Sequence, residues 1–275
     1  MKIHCLYRDF FLFLKALEIE ENRWHCFNEY YFSKYRDFLS AVWYKLQGYT
    51  KKNIKERVFA IKRSDYSDLE AELKLYDIED NSRRIINKCR EILYYPEICN
   101  IYLFIGFFSP DAFVFRFKDN FVIAVGLERF HNFKNYPILL AHEYCHYIQN
   151  MINADTSGKV KDRIIREGIS VCFSEAVYSG KEPWEYLFIK RENYYQLEEK
   201  YQYYLELLEK GDFEDTDIFH GFIDNQDNSV YPRAGYFIGY KIVKNYIERD
   251  SGKNLSKKID FMKLIREKNL LFKTY

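Results

Sequence analysis

Three residues in one short segment could do chemistry together. Leu139 to Ile148 reads LLAHEYCHYI, which places His142, Glu143 and His146 in the order His-Glu-x-x-His. On a helix, side chains four apart point the same way, so both imidazoles can reach one metal ion. The glutamate beside the first histidine then stands next to the metal's open position. There it can take a proton from a water molecule that is about to attack a carbonyl. The rest of the segment carries no charge and no proline. A buried helix requires this, because its neighbours must pack while one face stays polar. Two histidines hydrogen-bonded inside a core are the ordinary alternative, and the motif alone is only moderately specific.

A hydrolytic zinc needs a third protein ligand and leaves one position open. Glu167, in Arg166-Glu167-Gly168-Ile169-Ser170, is the strongest candidate. It falls in an expected helix, 21 positions beyond His146. That is room for the rest of one helix, a loop and a helix returning past the metal. Gly168 beside it would let helices approach closely. Asp155 and Asp162 are alternative ligands. Glu175, two turns beyond Glu167, is better placed to support a ligand than to be one. Cys145 lies between the histidines in sequence but points off their face, so it reads as packing.

The segments HEYCHYI, DRIIREGIS and YPRAGYFIGYKIVKNYI together resemble a domain family of unknown function described as predicted zinc-dependent proteases. More distantly the chain is similar to the gluzincin metallopeptidases. The resemblance covers roughly Phe121 to Arg249. It implies a zincin-like peptidase fold with an upstream sheet whose edge strand holds extended substrate. It implies a Zn²⁺ cofactor held by His142, His146 and Glu167, with Glu143 as general base. One position departs from the pattern. Many gluzincins carry an acidic residue four positions after the ligand glutamate, where this chain has Val171. The residue that orients a zinc histidine must come from elsewhere, with Ser170, Ser174 and Glu175 as choices.

Peptide hydrolysis also needs a donor for the charge that develops on the carbonyl oxygen. Gluzincins commonly use a tyrosine or histidine well downstream of the glutamate ligand. Here Tyr231 to Tyr240 is that far downstream. On a helix Arg233, Tyr236 and Tyr240 would share one face. Tyr236 is the first choice for catalysis, with Tyr240 and Tyr231 behind it and His220 further back. Arg233 and Tyr240 are the expected substrate contacts, Arg233 for a substrate carboxylate or for the developing oxyanion. With 26 tyrosines in the chain, any single one is more often packing than catalysis. His4, His25 and His131 read as structural or surface residues.

The elements that must position these groups are mostly helical. Residues 1–95 read as an N-terminal helical region, with Trp24, Phe27, Tyr31, Tyr35, Phe38 and Val42 at helical spacing. Helix starts are expected at Ser64-Asp65 and at Asp80 to Ser82. Residues 96–275 read as the peptidase region. Ile101 to Phe107, Ala112 to Phe117 and Phe121 to Leu127 are short β-branched and aromatic runs separated by turn residues. They predict a small, mostly antiparallel three-stranded sheet. By analogy with metallopeptidases, the last of them is the expected partner of extended peptide. Helices follow over Tyr136–Asn150, Val160–Ser179, Pro183–Lys210, Pro232–Arg249 and about Leu255–Lys268, with a polar loop from Asp212 to Ser229. The fold class is α+β, mainly helical.

Composition narrows the function further. A net charge of +1 without a basic stripe gives nucleic-acid binding little support. The apolar run Phe10–Leu14 is short and flanked by charge, so neither a secretory signal nor a membrane span is expected. The expected location is cytoplasmic. The six cysteines are scattered without a CxxC pair, as expected of buried reduced thiols. The leading expectation is a zinc peptidase acting on peptide or protein. A noncatalytic zinc protein with a peptide-binding groove is the competing one, and the intact Glu143 counts against it.

Overall fold

The computed structural model describes residues 1–107, 109–153, 160–210, 233–251 and 259–268. Two compact units form, and neither is continuous in sequence: Met1–Ile85 with Pro96–Glu143, and Ile86–Tyr95 with Tyr144–Tyr275. The class is α+β and mainly helical, as expected. Among the described residues, no helix is long and apolar enough to cross a membrane.

The first unit carries a four-stranded sheet built from β1 (Lys2–Cys5), β2 (Asn100–Phe104), β3 (Ala112–Phe117) and β4 (Asn120–Gly126). The strand order is β1-β2-β4-β3. β1 and β4 each pair with β2 in parallel, and only β3 and β4 are antiparallel. The sheet is therefore mixed rather than mostly antiparallel. The missed element is β1, four residues long and followed directly by helix α1 (Leu6–Ala16). So short a strand shows no alternation, and its partner lies almost a hundred residues away. β3 and β4 form the hairpin foreseen, closed by Lys118 at φ 55°.

Aromatic rings fill the space behind β2. Phe10 of α1 meets Tyr31, Tyr66 and Phe107, and Trp43 stacks on Phe107 at 5.2 Å and 13°. The chain leaves the sheet at Ile105 to Phe107, so those peptide groups lose their ladder partners. Buried backbone polar groups must be paired. Tyr31 Oη donates to Ile105 O at 2.8 Å, Trp43 Nε1 donates to Gly106 O at 3.0 Å, and Arg57 donates to Phe107 O at 2.8 Å. Glu128 accepts the Gly106 N–H at 2.7 Å. The expected aromatic stripe is present and largely buried at Phe27, Tyr31, Phe38 and Val42. Its helix is interrupted: wider π-type turns over Asn28–Phe32 and Ala41–Leu46 follow α2 (Arg23–Phe27) and α3 (Arg36–Ser40), and α4 (Lys51–Ala60) and α5 (Ser67–Leu75) come after them.

Helix α6 (Ile78–Ile92) begins earlier than expected, because Asp77 caps it by accepting the Asp80 N–H. Helix α7 (Tyr136–Ile152) carries His142 and His146. Pro137 sits in its first turn, where no intrahelical N–H is required. Tyr136 pins that end through a buried 2.6 Å bond with Ser82 Oγ.

In the second unit, α8 (Val160–Val177) carries Glu167, and α12 (Ala234–Ser251) packs along it. The segment Pro183–Lys210 is not one helix. It breaks into α9 (Pro183–Tyr186), α10 (Arg191–Glu199) and α11 (Tyr201–Lys210), with Phe188 at φ 53° ending the first piece. A left-handed residue cannot continue a right-handed helix. Helix α13 (Phe261–Arg266) is shorter than expected. Tyr231, His220, Asp155 and the Asp212 to Ser229 loop lie outside the described residues.

Candidate metal centre

α7 is buried almost all round, which suits its nearly continuous apolar sequence. His142 is 4% exposed and Glu143 7%. α8 is buried from Ile164 to Ser174 and includes Glu167 at 8% exposure. Isolated carboxylates are rarely this buried without a partner. Its partner is His146, whose Nε2 lies 3.0 Å from Glu167 Oε2.

His142, His146 and Glu167 each offer a ligand atom, and these atoms all lie within 4.8 Å of one another. Tetrahedral zinc, with bonds of about 2.0–2.2 Å to nitrogen and oxygen, places its ligand atoms roughly 3.3–3.5 Å apart. The His146–Glu167 separation of 3.0 Å is already close to that spacing. Two imidazoles and one carboxylate are also a known catalytic zinc set. The residues present therefore fit the metal.

A family model described as predicted Zn-dependent protease (DUF2268) matches residues 114–263, more than half of the chain. The chain belongs to this family. No curated protein and no solved structure matches it. The family match spans both histidines and Glu167 and continues through α12, so the DUF2268 segment includes every site residue expected from sequence.

Two glycines let α8 and α12 meet. A Cβ on Gly168 would run into the backbone of Gly239, and one on Gly239 would run into the Ile164 carbonyl. Gly168 adjoins Glu167, so this close approach sets where the carboxylate's helix lies.

The other expected residues have definite places. Arg233 is not on the helix: it precedes α12 with φ 63°, and its guanidinium lies 5.1 Å from the Tyr236 ring and 5.4 Å from the Phe188 ring. Tyr236 is half-buried in the first turn of α12. Tyr240 is buried, and burial followed by the nearby Glu175 carboxylate raises its pKa far above the usual tyrosine range. Glu175 also accepts from Lys244 at 2.7 Å. Asp162 pairs with Lys268 and is not part of the histidine group. Ser174 donates to Val171 O within its own helix. Ser170 Oγ lies 3.3 Å from His146 Nδ1. Burial pushes the Cys145 thiol up to about 11, as suits a packing residue. β4 has neighbours on both sides, so it has no edge to offer a peptide.

Sequence reasoning missed Gln149, which is buried beside this group and bonds to α8. A signal existed. Gln149 is a polar residue three positions after His146, hence on a neighbouring face of the same helix.

Proposed function

We propose that this member of the DUF2268 family is a zinc peptidase, with His142, His146 and Glu167 as ligands and Glu143 as general base. The observation that carries the reading is the close grouping of the three ligand atoms, on helices where Glu143 is the buried neighbour of His142. Bound Zn²⁺ would polarise the scissile carbonyl and bring the attacking water's pKa down to roughly 7. Glu143 takes the proton as the water oxygen attacks the carbonyl carbon. It then gives that proton to the amide nitrogen as the C–N bond breaks, which leaves a free acid and a free amine.

Tyr236 is the donor assigned to the developing oxyanion. Its neighbour one turn on, Tyr240, has Glu175 close to its hydroxyl, which makes Tyr236 the stronger candidate. Arg233 is the candidate for a substrate carboxylate. Strand addition requires an edge, and among the described residues β3 and β1 are the edge strands. β3 replaces β4 as the strand proposed to hold extended peptide.

The test is zinc content together with digestion of an unstructured protein such as casein, for wild type and Glu143→Gln. Both should bind one zinc. Cleavage should fall by about 10²–10⁴-fold in the variant. A wild type that binds no zinc after supplementation, or a variant that cleaves as well as wild type, would sink the proposal.

A further inference from the structure

Gln149 is 2% exposed, and Ser170 is fully buried. Gln149 Nε2 lies 3.0 Å from Arg166 O and 2.9 Å from Ser170 Oγ. A side-chain amide nitrogen has two N–H bonds; the two short contacts use both, and the longer approach to Cys145 Sγ at 3.5 Å shares one of them. The orientation of the amide follows from the same chemistry. With its nitrogen and oxygen exchanged, Gln149 would point an oxygen at the Arg166 carbonyl, which has no proton to give. Ser170 Oγ is therefore an acceptor from Gln149. It keeps a second lone pair, and 3.3 Å away stands His146 Nδ1. The other ring nitrogen, Nε2, faces Glu167.

We propose that Gln149 and Ser170 form a positioning pair for His146. The inference rests on the zinc reading above and adds to it how one ligand is held. A histidine that ligates through Nε2 must carry its proton on Nδ1, and an acceptor at Nδ1 selects that tautomer and ring angle. Ser170 supplies the acceptor. Gln149 holds it in place from α7. Arg166 and Ser170 lie one turn apart on α8, on either side of Glu167 in sequence. The two bonds from Gln149 thus clamp the turn of α8 that bears one ligand to the turn of α7 that bears another.

The experiment compares wild type, Ser170→Ala and Gln149→Met in the full chain. Zinc affinity is read by chelator competition, the ligand field by the visible spectrum of the Co²⁺-substituted protein, and folding by thermal denaturation without metal. Each variant should bind zinc about 10- to 100-fold more weakly, with an altered Co²⁺ spectrum. ¹⁵N spectra of the zinc-loaded wild type should show His146 protonated at Nδ1, a readout that needs no variant to fold. Wild-type zinc binding with unchanged affinity in both variants, or metal on Nδ1 of His146, overturns the positioning pair and leaves the zinc reading intact. A wild type that binds no zinc overturns both.

Discussion

Behind β2 and in the α7–α8 helix pair, the chain solves one problem in two ways. Behind β2 the buried polar groups are peptide groups that have left the sheet, and large side chains serve them: Tyr31, Trp43 and Arg57 each reach one carbonyl. In the helix pair the buried polar groups are themselves side chains, and they serve one another through Gln149, Ser170, His146 and Glu167. The first arrangement stabilises a loop whose rings also pack. The second holds imidazole and carboxylate groups at set positions inside a protein, where each unmet hydrogen bond would cost about 1–3 kcal/mol. Stability and site geometry should therefore separate between the two regions.

The largest expected effect on stability comes from Trp43→Ala. Removing a fully buried indole should cost about 3–5 kcal/mol. Urea unfolding measures that loss, while zinc affinity should be unchanged once the variant is folded. A parallel loss of zinc affinity would break the distinction between the regions.

Gly239→Ala comes next, at about 1–3 kcal/mol, because the new methyl group meets the Ile164 carbonyl and the helices must part. Here zinc affinity should fall together with the melting temperature, since α8 carries Glu167. An α12 variant that melts earlier yet binds zinc normally would show that this helix contact does not set the ligand's position.

Tyr236→Phe should reduce kcat about 10²–10³-fold while zinc content and stability hold, if the phenol is the oxyanion donor. Steady-state kinetics on a peptide substrate decide it; an unchanged kcat removes Tyr236 from the site.

Smaller still is the Glu175–Lys244 pair, whose side chains are 25% and 35% exposed. Solvent screening limits such a pair to below about 1 kcal/mol. Lys244→Met should leave both stability and zinc affinity close to wild type, by the same two assays.

A last effect concerns pH. Burial holds the Cys145 thiol up to about 11 in the folded protein, against about 8.5 in an unfolded chain. Between those values the unfolded state has lost the proton and the folded state has kept it, so Cys145 makes stability fall as pH rises above about 8.5. Cys145→Ala should flatten that part of the profile in urea midpoints taken at pH 7.5 and 9.5.

Much of this was readable from local pattern. The α7 and α8 boundaries, the β3–β4 hairpin and the buried aromatic stripe follow from hydrophobic periodicity and turn residues, which act within a few positions. Elements defined by distant partners were not readable. β1 is a strand because β2 accepts it, and the break at Phe188 depends on a single left-handed backbone angle. In the site, the two histidines were legible because helical geometry places residues four apart on one face. Glu167 was legible only once those histidines had raised the question of a third ligand. Gln149 was passed over because one glutamine on a helix is ambiguous until its partners are known.

By itself the sequence determined the helix that carries HExxH, the family to which that segment belongs, and the residue types available to a metal, because all of these are encoded in adjacent positions. The tertiary structure alone decided that Glu167 meets His146, that β4 is interior and β3 an edge, that Glu175 turns to Lys244, and that Gln149 braces Ser170. Each of those is a contact between residues far apart in sequence. Only the packing of whole helices and strands, here made possible by two glycines in contact, fixes which distant side chains come within bonding range.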